Sequence, residues 1–247
     1  ADSLREVISP EASAALATLR GSLSRIRFRT APTDAEARKV TRRLSDTVTA
    51  VIPQFFATAQ LSMLADDGWR FSELGQFVER AVTTANATRS VALSIMRRLE
   101  PLHSIEIELS AFLRLLGSRD AYRRIYQTRA EPPQVLEFLW QNAEMPRSVL
   151  YSLKRCAEIL QASLPSNSQT AQQAQSFLEE LLRRIRRLDW YNFFVSEDEA
   201  SIRLLRREEL LLQLDLLLSE TLELHTVITD NFLSHQSIIS EPEPTLF

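Results

Sequence analysis

The chain is predicted to be all-α, a multi-helix bundle with several long helices, and three observations predict it. Glycine is scarce: Gly21, Gly68, Gly75 and Gly117 are the only four in 247 residues. That is too few for a sheet closed by tight hairpins or for a glycine-rich phosphate loop. Leu, Arg, Ala and Glu are abundant instead, and these are good helix formers. Finally, apolar positions recur at three- and four-residue spacing over long stretches, and no segment reads as a strand.

The elements follow in order. Residues 2–8 read as the end of a helix. Ser9-Pro10 restarts one that runs to about residue 27, with the serine as cap and the proline in the first turn. Thr33-Asp34-Ala35-Glu36 is a capping-box pattern that opens a long helix carrying Val40, Leu44, Val48, Val51 and Phe55. Pro53 is expected to kink that helix or end it early. Asp66-Asp67-Gly68 reads as a turn, followed by a helix over 69–99 that Pro101 closes. Shorter helices are expected at 105–116, 119–126 and 133–141, with a longer one at 146–160. Residues 164–170 read as an exposed polar loop. Two further helices run over 171–191 and, after the capping pattern Ser196-Glu197-Asp198-Glu199, to about residue 233. Together they predict one domain over 1–237 and a flexible tail over 238–247.

Composition narrows the classes of function. Hydrophobic residues make up 45% and charged residues 25%, and the net charge of -3 gives no general reason to expect DNA or an anionic membrane as partner. The greasiest stretch, 210–224, is interrupted by Gln213, Asp215, Glu220 and Glu223, so it reads as a buried helix and not as a membrane span. Cys156 is the single cysteine, and the N-terminus lacks a signal-peptide pattern, which together predict a cytoplasmic setting. The chain starts without methionine and reads as a processed or excised piece of something longer.

The helix over 69–99 carries the most chemistry. At 100° per residue, Leu74, Val78, Val82, Ala85, Ala92 and Met96 share one face, with Arg89 near its middle and Gly75, Glu79 and Asn86 along its edge. A buried guanidinium is costly unless paired, so Arg89 is expected to meet a carbonyl, a bound anion or an acid such as Glu106 or Glu137. The plain alternative is a structural ion pair. A second cluster joins Tyr122, Arg123 and Tyr126 to Met145-Pro146-Arg147-Ser148, where a proline-led helix start leaves the N–H groups of Arg147 and Ser148 for an anion. Arg183-Arg184-Ile185-Arg186-Arg187 resembles a nucleic-acid patch, but Glu179 and Glu180 precede it by one turn, as on an ordinary wet helix face. His103, His225 and His235 fall in no metal-ligand spacing, and Cys156 reads as an inert core thiol.

These segments together resemble the bacterial alpha-E family. Gly68-Trp69-Arg70-Phe71, Leu74-Gly75, Val78-Glu79-Arg80-Ala81 and Thr84-Ala85 are similar to that family's Gly-Trp-Arg-Phe…Glu-Arg-Ala signature, and Arg89 lies close to an arginine that commonly follows it. Ala121-Tyr122-Arg123-Arg124 and Pro146-Arg147-Ser148-Val149 resemble two later motifs in the right order, and Ser3-Leu4-Arg5 with Ile8-Ser9-Pro10-Glu11 an earlier one. The family's opening segment, with its own Tyr-Trp and Glu-Arg-Ala-Glu helix, is absent here, so one half of a paired site is expected to be missing. The resemblance implies an all-helical protein encoded beside, or fused to, a circularly permuted ATP-grasp protein, with transglutaminase-like proteins as frequent neighbours. No cofactor is intrinsic, and ATP and Mg would enter through the ATP-grasp partner.

The expected function is therefore a helical partner module of an ATP-grasp amide ligase that binds or modifies a peptide-like substrate. Arg70, Glu79, Arg80, Arg89, Tyr122, Arg123, Tyr126, Arg147 and Ser148 are the candidate substrate- or anion-binding residues, with Glu79 the candidate general base and no metal ligands. The alternative is a non-catalytic scaffold in which the same charges form buried ion pairs and the Leu-rich helix over 199–233 supplies a dimer or partner interface, and a third reading is an enzyme in its own right with Glu79 as general base.

Overall fold

The computed structural model describes residues 9–24, 33–64, 66–97, 102–163, 169–194 and 200–228. The expected helical end at 2–8, the loop residues 164–168, the cap at 196–199, the Met96 side chain and the tail 238–247 lie outside the described residues. Nine α-helices and one 3-10 turn account for the described secondary structure, and no strand occurs among those residues. By contacts the chain divides into two compact units, residues 1–70 and 71–247.

The first unit holds α1 (Pro10–Ser24) packed on α2 (Asp34–Ser62). Both helices begin where their caps predict. The Ala12 N–H donates to Ser9 Oγ at 3.2 Å, and the Glu36 N–H to Thr33 Oγ1 at 3.3 Å. These side-chain oxygens satisfy backbone donors that the first turn leaves without partners. Ala12, Ala15, Val51 and Ala59 are buried, so small side chains let the two helices approach closely. Pro53 does not end α2, which continues to Ser62. A proline deletes a single intrahelical hydrogen bond, and the helix carries on beyond it.

The second unit contains most of α3 (Asp67–Arg97), then α4 (Leu102–Leu115), α5 (Arg119–Tyr126), α6 (Pro132–Gln141), α7 (Val149–Ser163), α8 (Gln169–Arg187), the 3-10 turn Tyr191–Phe194 and α9 (Ala200–Ile228). Its middle is α6, where seven of ten residues are buried: Pro132, Pro133, Val135, Leu136, Phe138, Leu139 and Trp140. Around it pack α4, α7, α8 and the 3-10 turn. The Gln141 side chain donates to the Ile185 and Leu188 carbonyls at 2.8 and 2.7 Å, satisfying orphan acceptors at the end of α8.

The buried stripe of α3 differs from the one predicted. Leu74, Val78, Ala81, Ala85, Thr88, Ala92 and Ile95 are buried, at alternating spacings of four and three. That is a 3.5-residue repeat, as in a coiled-coil seam, and not the 3.6-residue stripe that rotates onto Val82 and Arg89. Arg89 therefore flanks the core and does not lie inside it. Helix α9 repeats the pattern with Leu210, Leu214, Leu217, Thr221, Leu224 and Ile228 buried. The stretch expected to be a buried helix is one-sided, because Leu212, Leu216 and Leu222 are exposed. Among the described residues no helix is long and apolar enough to cross a membrane.

The turn between α4 and α5 positions the candidate site. The Ser118 N–H reaches back to the Leu113 carbonyl at 2.8 Å and the Gly117 N–H to the Arg114 carbonyl at 2.9 Å, a Schellman closure of α4. Gly117 has φ +63, in the left-handed region. A Cβ built there meets nothing within 4 Å, so the cost of a side chain is confined to the backbone. Gly117→Ala is expected to lower stability by about 1–2 kcal/mol, the usual cost of a left-handed non-glycine residue. Urea denaturation checks this, and an unchanged midpoint would mean the turn relaxes.

Candidate functional site

The sequence-predicted residues fall into separate places. The first is the junction of α3 with the turn before α7. The Arg80 Nη1 makes a long 3.4 Å contact to the Pro146 carbonyl, and Thr84 Oγ1 donates to the Arg147 carbonyl at 2.9 Å. The Arg80 guanidinium also lies 5.0 Å from the Phe77 ring centroid, and that of Arg155 lies 5.6 Å from it. Such cation–π contacts let a half-buried guanidinium trade water for a ring face. Burial lowers the Arg80 pKa, and the nearby Arg147 charge lowers it further. Arg147 and Glu79 are exposed.

Helix α7 begins at Val149, with Pro146 and Arg147 in the preceding turn and not in the helix. Ser148 is the cap. Its hydroxyl accepts the Tyr151 N–H at 3.0 Å and donates to the Asn142 carbonyl, while its own N–H donates to the Met145 carbonyl at 2.8 Å. Ser148 is fully buried. Both of its polar groups are thus consumed inside the fold, so its observed bonds are those of a strut.

Arg89 meets an acid on a neighbouring helix, and that acid is Asp215 of α9. Arg89 Nε and Nη2 donate to the two Asp215 oxygens, the latter at 3.1 Å. Of the partners expected from sequence, Glu106 pairs instead with Arg129 at 3.7 Å, and Glu137 accepts the Tyr126 and Tyr191 hydroxyls at 3.1 and 3.2 Å. Arg89 also lies ten residues beyond Glu79, roughly 15 Å along the helix at 1.5 Å per residue. The two residues do not flank one small pocket. Arg70 belongs to the first unit, where its N–H donates to the Asp66 carbonyl at 3.1 Å.

The third place is a cleft of about 470 Å³ between α4, α5 and the loop before α6. Helix α4 contributes Glu106, Ser110 and Leu113, one face at four- and three-residue spacing. Helix α5 contributes Arg119, Tyr122 and Arg123, and the loop contributes Gln127, Thr128, Arg129 and Ala130. Tyr122 is buried, and its hydroxyl donates to Gln134 Oε1 at 2.9 Å with the Arg129 carbonyl at 3.2 Å. Thr128 Oγ1 donates to the same Gln134 oxygen at 3.1 Å, so α6 anchors the loop. Gln127, with φ 52, closes α5 by donating its N–H to the Arg123 carbonyl.

Burial pushes the Tyr122 hydroxyl up to about 12, so it stays neutral. Tyr126 stacks on Tyr122 with centroids 4.8 Å apart, and burial and then the Glu137 charge push its hydroxyl up as well. Two of the residues predicted from sequence, Tyr122 and Arg123, line the cleft, and Tyr126 supports it from behind. Sequence reasoning missed Arg119 and Arg129, and named Glu106 only as a partner for Arg89. Arg119 sits one turn before Arg123 and was legible from that spacing, whereas Arg129 reaches the cleft only through the loop. The Arg119 Nε is buried and has no hydrogen-bond partner.

Among the described residues no group of His, Cys, Asp and Glu side chains is placed to hold a metal. Burial pushes the Cys156 thiol well above its ordinary value, which keeps it protonated and unreactive.

A family model described as "a predicted alpha-helical domain with a conserved ER motif", the Alpha-E model, matches residues 1–233. The chain belongs to the Alpha-E family. The sequence contains a single Glu-Arg pair, Glu79-Arg80, and it lies at the α3–α7 junction. No curated protein and no solved structure matches the chain.

Two expected outcomes separate support from chemistry. Ser148→Ala should lower stability by about 1–2 kcal/mol, as for other lost caps, in a thermal or urea melt; an unchanged melt would show that the cap is dispensable. Arg89→Ala should cost no more than about 1 kcal/mol, because its side chain is 35% exposed and that of Asp215 is 45% exposed. The hydrogen bond from Arg89 lowers the Asp215 pKa. The pair therefore stabilises the fold above the ordinary carboxylate value of 3.8 and loses its effect as pH falls through the lowered one. Urea melts of both proteins at neutral and acid pH should converge in acid.

Proposed function

We propose that this Alpha-E chain is the substrate-holding helical partner of an ATP-grasp amide ligase, and that its arginine cleft grips the anionic end of a peptide-like substrate. The observation that carries this is the pair Arg119 and Arg123, which project into one cleft and meet no carboxylate among the described residues. Two guanidiniums on one wall of a concave site, without a carboxylate partner among the described residues, suit an anion. The resemblance to alpha-E proteins supports the ligase setting. ATP and Mg²⁺ are assigned to that partner, which activates a carboxylate while this chain presents the peptide. A reducing cytoplasm suits a lone buried Cys156.

The Glu79-Arg80 motif then has a supporting role. Arg80 and Thr84 together hold the Pro146-Arg147 turn against α3. A scaffold without ligand binding is the second reading, favoured by Leu212, Leu216 and Leu222 on the outer side of α9.

The test is calorimetry with a short acidic peptide, followed by ADP release in a reconstituted ligase pair. Arg119→Ala with Arg123→Ala should weaken peptide binding by at least about ten-fold and reduce ligation, while leaving the helical circular dichroism unchanged. Wild-type protein that binds no peptide, with a dimer lost on Leu216→Glu, would replace this reading with the scaffold.

A further inference from the structure

We infer that the cleft takes a doubly charged phosphate monoester and not the single carboxylate of an ordinary peptide end. The inference rests on the reading that the cleft holds substrate, and it names the chemistry of the gripped group. Charge is the first argument. Arg129 is offset by Glu106 at 3.7 Å, leaving Arg119 and Arg123 to be neutralised. A single carboxylate can satisfy one of them and leaves the other cation beside it. A phosphate monoester carries about two negative charges at neutral pH and three acceptor oxygens, enough for both forks.

Placement is the second argument. Arg119 and Arg123 are four apart on α5 and so emerge from the same helix face, about 5–6 Å apart at Cβ. That spacing lets two guanidiniums converge on one tetrahedral group. The loop opposite is held by Thr128, whose hydroxyl proton goes to Gln134, and by Gln127 in its left-handed turn, which leaves the Gln127 side-chain amide as the neutral donor. The Tyr122 hydroxyl is not part of the grip, because Gln134 takes its proton.

The whole chain is titrated calorimetrically with three probes. They are a phosphoserine pentapeptide with an amidated C-terminus, the same peptide with glutamate in place of phosphoserine, and inorganic phosphate. The phosphopeptide is expected to bind about ten-fold tighter than the glutamate peptide at pH 7.5. Its affinity should fall several-fold between pH 7.5 and about 5, as the phosphate gains a proton near pH 6. The charged groups of the cleft are Arg119, Arg123, Arg129 and Glu106. Guanidiniums keep their charge over this range, and protonating Glu106 would act in the opposite direction. The fall therefore belongs to the ligand. Arg119→Gln with Arg123→Gln should abolish the difference between the two peptides.

Inorganic phosphate matching the phosphopeptide would support the dianion and assign it to free phosphate. Equal affinities for both peptides, with a flat pH profile, would overturn this inference and leave the substrate-holding role intact. No binding by any probe at millimolar concentration would overturn both.

Discussion

Burial of one short helix, α6, is the constraint on which the second unit depends. Only ten residues long, it carries Phe138, Leu139 and Trp140 into a core formed with α4, α7, α8 and the 3-10 turn. Large side chains contribute roughly 1.5–3 kcal/mol each when fully buried, so few segments of this chain concentrate as much apolar burial per residue. The polar ends of α6 are equally committed. Gln141 closes the end of α8, Glu137 joins Tyr126 to Tyr191, and Gln134 receives Tyr122 and Thr128. Core and cleft are therefore one construction. The arginines can sit in a fixed cleft because the helix behind them is held on every side.

The same construction explains why the two family motifs play different parts. Arg80 is tied to a turn and an aromatic ring, and its companion Ser148 is sealed inside a cap. Side chains whose donors and acceptors are already used fix geometry. Arg119 and Arg123, by contrast, line the cleft and pair with no carboxylate among the described residues. The contrast between satisfied and unsatisfied polar groups, more than the motif itself, separates frame from grip.

Much of this fold was legible in the sequence because its signals are local. The caps at Ser9 and Thr33 form as their residue types require, and α5 has the bounds its pattern predicts. Errors arose where a local rule met packing. The α3 stripe repeats every 3.5 residues and not every 3.6, a difference of about 20° per heptad. Over the two heptads from Leu74 to Arg89 that drift moved Arg89 from the flank to the apparent centre of the buried face. The Asp215 partner lies 126 residues away in sequence, and no spacing rule reaches that far. Pro146 looked like a helix start because proline suits one, but Ser148 makes the better cap and moved the start to Val149. The cleft was half visible. Tyr122 and Arg123 stood out by type, whereas Arg129 needs the left-handed Gln127 turn to arrive beside them.

The paired indoles of Trp140 and Trp190 give the molecule an optical property of its own. Their ring centroids are 5.9 Å apart, both are buried, and neither Nε1 has a hydrogen-bond partner. Fluorophores so shielded emit toward the blue and exchange excitation readily. Trp69, the third tryptophan, belongs to the other compact unit and is half-exposed. Loosening of the core around α6 should therefore change colour separately from events in the first unit, and the protein carries a built-in gauge for each.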